Sequence, residues 1–180
     1  MAEQRPEGRA TGAHEHIVSD DFTSFVVRER ASLLGVAFAL CADRHAAEDL
    51  VQDALVEAFR RWDRVGTYDE PGAWARRVVV NRATSRWRRL GTESRALARF
   101  GARPVAPGTE RDPDADRFWD AVRALPRRQS QMIALRYADD LEIAEIATVM
   151  ECAEGTVKAT LHHARRALAQ KLALEVRDDA

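Results

Sequence analysis

Two segments near the end of the chain read Glu142-Ile-Ala-Glu-Ile-Ala-Thr-Val149 and Gly155-Thr-Val-Lys-Ala-Thr-Leu-His-His-Ala-Arg-Arg166. Apolar residues recur at helical spacing in both segments, with polar residues between them. The pattern predicts two short amphipathic helices joined by a tight turn, which is the helix-turn-helix arrangement that places its second helix in the DNA major groove. A helical hairpin with a solvated face is the alternative for this pattern taken alone.

The second of these helices is basic as well as polar. From Gly155 to Lys171 the chain has four cationic residues and no acid. Such a face suits phosphates and base edges. The residues expected on its exposed side are Thr156, Lys158, Ala159, His162, Arg165 and Arg166.

Composition favours an all-α fold. The chain has 180 residues, of which 46% are apolar and 32% charged, and Ala, Leu, Arg and Glu outnumber β-branched residues. No apolar run approaches the roughly 18 residues that span a bilayer, and the polar N-terminus lacks the apolar segment of a signal peptide. We therefore expect a cytoplasmic protein without membrane insertion.

Charge is strongly segregated along the chain, although the net charge is only −1. From Arg60 to Arg99 there are eleven arginines and four acids, whereas Asp139 to Glu154 holds six acids and no base. One chain therefore offers basic surfaces to an anion and acidic surfaces to a different partner.

Glycine and proline divide the chain into parts. Helical periodicity is expected in residues 20–90 and 118–174, while residues 91–117 contain the glycines and prolines typical of a linker. Residues 1–19 and 175–180 are expected to be tails. The sequence thus predicts two small helical domains joined by a flexible linker.

Two helices of the first domain have contrasting outer faces. The helix from Ala46 to about Trp62 exposes Asp49, Gln52 and Asp53, and the helix from Pro71 to about Arg89 is the most basic element of the chain. No chemical site accompanies them. Cys41 and Cys152 are isolated, and no metal, cofactor or catalytic constellation occurs at usable spacing.

Taken together, the motifs resemble those of a bacterial RNA polymerase sigma factor of the extracytoplasmic-function group, in the sigma-70 family. These factors consist of a sigma-2 and a sigma-4 domain, which correspond here to residues 20–90 and 118–174. The order and spacing of four stretches carry the resemblance: Ala47-Glu-Asp-Leu-Val-Gln-Asp-Ala-Leu55, Trp74 through Asn81 to Arg89, Leu125-Pro-Arg-Arg-Gln129 with Leu135-Arg-Tyr137, and Glu145-Ile-Ala147 with Gly155-Thr-Val-Lys158.

The resemblance implies partners and site residues for the sigma-2 domain. Asp49, Gln52 and Asp53 would bind core polymerase on the clamp helices of the β′ subunit, and the β flap would be a further contact of the factor. The expected −10 DNA-binding residues are Tyr68, Arg76, Arg77, Asn81 and Arg86, with Tyr68 in the loop that captures a flipped promoter base. Factors of this group are commonly held inactive by an anti-sigma protein, so the resemblance leaves such a partner open.

In the sigma-4 domain the resemblance implies −35 promoter recognition by the six exposed residues of the second helix. The chain departs from the usual pattern at Glu151, where glycine is common, at Ala153, where serine would cap the helix, and at Thr160, where arginine is common. A missing serine cap typically costs about 1 kcal/mol. The recognition helix is therefore expected to start later or fray more than in its relatives.

Three other classes of protein compete with this interpretation. An operator-binding helix-turn-helix regulator leaves the first ninety residues without a role, because no sensor pocket or dimerisation heptad is visible. A nuclease would need convergent carboxylates or a nucleophile with its base. A helical adaptor that binds only protein would make the basic face incidental. The sequence favours the sigma factor, with the operator-binding regulator as the alternative.

Overall fold

The computed structural model describes the backbone of residues 11–97 and 112–178, and the side chains of residues 21–85 and 112–173. Every regular element in these ranges is a helix, which confirms the all-α prediction. In chain order the helices are α1 (Thr11–Cys41), α2 (Arg44–Arg60), α3 (Trp62–Val65), α4 (Pro71–Leu97), α5 (Pro113–Arg123), α6 (Arg127–Tyr137), α7 (Ile143–Met150) and α8 (Glu154–Asp178).

The first domain is formed by α1, α2 and α4, which pack on one another, and by the short α3. Alanines at 47, 54 and 58 are fully buried on α2, and their small side chains let the neighbouring helices approach closely. A short break separates α1 from α2 after Cys41. Ala42 ends α1 with a φ of 58°, and the Asp43 carboxylate caps α2 by accepting the Ala46 N–H at 2.7 Å.

The second domain, α5–α8, is built around α6. Met132, Ile133 and Leu135 on this helix are fully buried, and Val157 and Leu161 of α8 pack into the same apolar core. Helix α5 ends before the Leu-Pro pair at 125–126, and α6 begins after it, as the sequence predicts. Both helices of the helix-turn-helix are therefore anchored by their apolar faces.

The turn between α7 and α8 is a Schellman motif. Glu151 adopts the left-handed conformation with a φ of 48°, its N–H donates to the Thr148 carbonyl at 3.3 Å, and the Cys152 N–H donates to the Ala147 carbonyl at 3.0 Å. A non-glycine residue at this position is strained, which explains physically why glycine is common there.

Several element boundaries differ from the sequence predictions. Helix α1 begins at Thr11, inside the predicted tail of residues 1–19, because residues 11–19 contain one glycine and no proline that could stop it. Helix α4 continues through Gly91 to Leu97 instead of ending near Arg89. One internal glycine costs about 1 kcal/mol, which the helix-forming residues after it offset.

The second domain also begins earlier than residue 118. Pro113 opens α5 at a position where proline is favoured, and the Asp112 carboxylate accepts the Asp114 N–H at 3.0 Å. Helix α3 lies just before the loop that contains Tyr68, and α8 extends beyond residue 174 to Asp178. Of the predicted linker and tails, residues 98–111, 1–10 and 179–180 lie outside the described residues.

The two domains contact each other. Helix α1 lies against α5 and α6, and α4 lies against α6 and α7. The approach is close at Gly35, where a β-carbon would lie 3.4 Å from the Ala138 carbonyl oxygen. Nearby, Arg123 Nη1 donates to the Ala39 carbonyl at 2.8 Å. The surface of α4 that faces the second domain includes residues predicted to bind DNA.

Candidate polymerase and DNA interfaces

Helix α8 has one apolar and one polar face, as the sequence predicts. Its apolar residues Val157, Leu161, Ala164 and Leu168 are buried. All six residues predicted to contact −35 DNA are exposed: Thr156, Lys158, Ala159, His162, Arg165 and Arg166. Because the helix begins at Glu154, directly after Ala153, the missing serine does not delay its start.

Two contacts orient cations on this face. Arg165 Nε donates to the Tyr137 hydroxyl at 3.0 Å, and its guanidinium lies 6.0 Å from the centre of the tyrosine ring. Lys158 Nζ lies 3.4 Å from a carboxylate oxygen of Glu154, one turn earlier. Sequence reasoning gave Tyr137 no role on this face. This tyrosine is half exposed and positions the arginine.

The face of α2 predicted to bind polymerase is exposed. Asp49, Gln52 and Asp53 are all exposed and lie at helical spacing on one side, while Leu50, Val51 and Ala54 face the core. This leaves a row of carboxylate and amide groups directed to solvent.

An apolar groove of about 650 Å³ lies between α1 and α2 beside this face. Its lining includes Val26, Leu55, Val56, Phe59 and Gln52. Phe59 is 56% exposed, although the helical pattern predicts it on the inner side of α2. The sequence alone did not indicate this groove, because Val56 and Phe59 are equally consistent with a wide apolar face of α2 that is buried in the core.

The predicted −10 DNA-binding residues do not form one continuous exposed surface. Arg76 is largely buried: its Nε donates to Asp139 Oδ2 at 2.6 Å, its Nη1 to Glu29 Oε2 at 2.7 Å, and its Nη2 to Ser32 Oγ at 3.0 Å. Burial alone would lower the pKa of Arg76, but the hydrogen bonds and charges of Asp139 and Glu29 outweigh it and raise the pKa above its usual value. The guanidinium is therefore permanently charged and occupied by protein groups.

Arg77 and Asn81 also contact the second domain. Arg77 forms an ion pair with Glu151 in the helix-turn-helix turn. Asn81 Oδ1 accepts hydrogen bonds from Arg127 Nη2 at 2.7 Å and from Gln131 Nε2 at 3.1 Å. Sequence reasoning did not predict that Arg127 and Gln131 contact the first domain. They lie on α6, a helix that was expected to pack only within the second domain.

The remaining two predicted −10 residues lie elsewhere. Tyr68 is half-buried and packs against the apolar core of the first domain, so that its ring is only partly available to a base. Arg86 lies on the described backbone of α4, but its side chain is outside the described residues. The structure therefore brings Arg77 and Asn81 together in one cleft, while Arg76 is held apart from it by Glu29, Ser32 and Asp139.

Both cysteines of the chain are free thiols. Cys41 is buried and Cys152 is half-buried. Among the residues with described side chains, no group of three or more His, Cys, Asp or Glu residues could hold a metal ion. None of the described helices is both long and apolar enough to cross a membrane.

Comparison with known families matches each domain separately. Residues 25–93 match Sigma-70 region 2, and residues 115–168 match Sigma-70, region 4. The chain is 31% identical over 160 residues to the RNA polymerase sigma-E factor of Streptomyces avermitilis, covering 89% of this chain and 88% of that protein. It is 32% identical over 147 residues to the ECF RNA polymerase sigma factor SigL of Mycobacterium tuberculosis, covering 77% of this chain and 81% of that protein.

Two solved structures have the same fold. The sigma factor RpoE from Bartonella quintana, in complex with the anti-sigma factor NepR, matches with a TM-score of 0.65 and 28% identity over 85% of this chain and 97% of that chain. CnrH, in complex with the cytosolic domain of CnrY, matches with a TM-score of 0.61 over 85% of this chain and 88% of that chain. At 22% identity, this second match supports the fold alone.

The two matched regions fall on the two helical domains in the order that the sequence motifs indicate. The match to the Streptomyces factor extends across both domains and the segment between them. The chain therefore belongs to the sigma-70 family of RNA polymerase sigma factors, in its extracytoplasmic-function group.

Proposed function

We propose that the chain binds core RNA polymerase and directs initiation at promoters by reading a −10 and a −35 element. The observation that carries this proposal is the recognition face of α8, where six polar, small or cationic residues are exposed above a buried apolar row. A face of this kind in a chain with sigma-70 regions 2 and 4 is suited to the −35 element.

In this proposal α2 binds polymerase. Its exposed residues Asp49, Gln52 and Asp53 suit a basic partner surface, with the clamp helices of β′ as the partner. The β flap is assigned to the second domain. The exposed Phe59 beside the acidic row adds apolar area that a polymerase surface could bury.

The −10 element is assigned to α4. Arg77 and Asn81 supply a cation for the DNA backbone and an amide for a base edge. Arg86 would continue this surface along α4, and Tyr68 would stack on a flipped base. Arg76 is assigned a supporting role, because its guanidinium already has three protein partners.

The −35 element is assigned to α8. Arg165 and Lys158 supply cations for guanine edges and phosphates, with Arg166 on the backbone. Thr156, Ala159 and His162 complete the face. Since Thr160 stands where arginine is common, base preference is expected to differ from that of relatives.

Regulation by a protein partner is part of the proposal. The sigma factor RpoE is in complex with the anti-sigma factor NepR, and CnrH is in complex with the cytosolic domain of CnrY. We infer that this chain has an anti-sigma partner too. We also infer that it works in the cytoplasm and supplies no catalytic group, so that all the chemistry belongs to the polymerase.

The decisive experiment adds the purified chain to sigma-free core polymerase with genomic DNA and sequences the transcripts. Initiation that requires both core and chain, from a limited set of start sites, would support the proposal. Specific binding to DNA in the absence of core, without transcripts, would favour an operator-binding regulator.

A matched pair of variants tests the polymerase surface. Asp49→Arg combined with Gln52→Ala should abolish holoenzyme assembly and leave the far-ultraviolet circular dichroism unchanged. Asp114→Arg combined with Gln170→Ala makes the same chemical changes at exposed positions of the second domain and should assemble like wild type. Unchanged assembly of the first variant would contradict the assignment of α2.

A further inference from the structure

The carboxylates of α2 differ in whether a cation lies beside them. Glu48 Oε1 lies 3.0 Å from Arg44 Nε, and Glu57 Oε1 lies 3.2 Å from Arg61 Nη1. Both of these arginines belong to α2 or to its C-cap. Among the residues with described side chains, no cation lies within 4.0 Å of Asp49.

Asp53, the remaining carboxylate of α2, faces a cation from a different helix. Arg82 of α4 reaches across to α2, with its Nη1 3.7 Å from Asp53 Oδ2 and its Nη2 donating to Glu57 Oε2. The side chains of Arg82 and Asp53 are 39% and 69% exposed, so a partner protein can reach the pair. Arg82 belongs to neither the polymerase-binding nor the DNA-binding residues proposed for this chain.

Arg82 acts against the electrostatic complementarity proposed for α2. The row of Asp49, Gln52 and Asp53 is suited to a basic partner, and Arg82 places a positive charge at the edge of that row. A polymerase cation can pair with Asp49 directly, whereas it must displace Arg82 to pair fully with Asp53. Since exposed ion pairs change an equilibrium constant by up to about fivefold, the effect on affinity is measurable.

We propose that Arg82 is an internal competitor of core polymerase for the carboxylates of α2. It occupies Asp53 and Glu57 and so lowers the affinity of the chain for core polymerase, while Asp49 binds without first losing a partner. The inference rests on the proposed function, because it takes α2 to be the polymerase-binding face. It deepens that function by ranking the residues of the row and by giving a role to a cation of α4.

A purely structural role for Arg82 predicts the opposite effect. If its bonds to α2 were needed to hold α2 against α4, their loss would disorder the row and weaken polymerase binding. The two helices contact each other, and Ala58 of α2 and Val79 of α4 are fully buried in the apolar core. This packing is expected to keep the helices in place when a half-exposed arginine is replaced.

The first experiment measures the affinity of sigma-free core polymerase for the full-length chain by fluorescence anisotropy, with the dye on the N-terminal amine. Arg82→Met keeps much of the apolar stem, removes the charge and should bind about two- to fivefold tighter at low salt. The gain should shrink at high salt, where exposed charges are screened. Arg82→Lys restores the charge and should stay within about twofold of wild type.

Arg64→Met is the matched control. Arg64 is an exposed residue of α3 in the same domain, and among the described side chains no carboxylate lies within 4.0 Å of its guanidinium. The control therefore makes the same change in net charge but releases no carboxylate of α2. Its affinity should match that of wild type, and all variants should keep the wild-type circular dichroism.

The second experiment asks whether Arg82 conceals the contribution of Asp53. In the wild-type background Asp53→Asn should weaken core binding by less than about twofold, because Asp53 loses Arg82 as well as the polymerase. In the Arg82→Met background the same substitution should weaken it about fivefold. Asp49→Asn should cost the same in both backgrounds.

The outcomes distinguish the competitor role from its alternatives. Weaker binding of Arg82→Met with unchanged circular dichroism would overturn the proposal in favour of a structural role, and equal costs of Asp53→Asn in both backgrounds would also overturn it. In either case Asp49→Asn would still weaken binding. If the proposed function itself were wrong, Asp49→Asn would have no effect in any background, or no variant would bind core polymerase.

Discussion

Replacing Arg76 with methionine is expected to destabilise the folded chain by about 3–5 kcal/mol. The substitution keeps the length and apolar stem of the side chain but removes the guanidinium that binds Asp139 Oδ2 at 2.6 Å and Glu29 Oε2 at 2.7 Å. The side chains of Asp139 and Glu29 are only 5% and 11% exposed. Water therefore cannot replace the lost partner. Glu29 keeps its ion pair with Arg28 Nε at 2.8 Å, so the variant retains one uncompensated buried charge, the Asp139 carboxylate.

Two companion variants separate the charge effect from packing. Asp139→Asn keeps an oxygen acceptor near Ser32 and Arg76 but removes one anion, so we expect a smaller loss of about 1–2 kcal/mol. The double variant of Arg76→Met and Asp139→Asn should be about 1–2 kcal/mol more stable than Arg76→Met alone, because one unpaired charge is gone.

Urea unfolding monitored by tryptophan fluorescence and by circular dichroism gives these free energies. Trp62, Trp74 and Trp87 lie in the first domain and Trp119 in the second. Fluorescence and circular-dichroism transitions that do not coincide would show that the domains unfold separately. We expect the Arg76→Met variant to lose the coupling between the two transitions. A loss below about 1 kcal/mol would mean that the Arg76 guanidinium is not buried between carboxylates in the folded chain, and the reasoning from its partners Asp139 and Glu29 would fail.

Three further predictions concern the second domain. Glu151→Gly should be about 1 kcal/mol more stable than Glu151→Ala, because both lose the carboxylate and only glycine relieves the left-handed strain; thermal unfolding of the two variants measures this, and equal melting temperatures would contradict it. Tyr137→Phe should leave stability unchanged but weaken holoenzyme binding to −35 DNA about three- to tenfold, because Arg165 loses the hydroxyl that orients it. Mobility-shift titrations measure this affinity, and an unchanged value would rule out the positioning role of Tyr137. Lys158→Ala should reduce the slope of log affinity against log salt by about one without changing base preference, and an unchanged slope would show that Lys158 does not contact phosphate.

The helices were predictable wherever one face is apolar and one polar. The pattern of Val157, Leu161 and Leu168 correctly assigns α8, and the exposed row on α2 follows from the same periodicity. The predicted helix boundaries were wrong where one residue type can either begin or interrupt a helix. Pro113 was taken as a linker residue, yet at the first turn of a helix with Asp112 before it, proline begins the helix instead of interrupting it.

The contact between the domains could not be predicted from the sequence. Arg76 and Asp139 are far apart in the chain, and helical periodicity says nothing about which helices of different domains meet. The sequence did show a signal, in the acidic block that begins at Asp139 and the arginines of α4. It could not show that Asp139 and Arg76 pair with each other instead of with separate partners.

The proposed promoter complex would compete with the second domain for hydrogen-bonding groups of α4. Asn81 Oδ1 accepts N–H groups from Arg127 and Gln131, the kind of donor that the amino group of adenine or cytosine would offer. Arg77 pairs with the carboxylate of Glu151, and in the proposed complex it would bind a phosphate instead. Because these groups already have partners, DNA would gain only the difference between its own bonds and those it replaces.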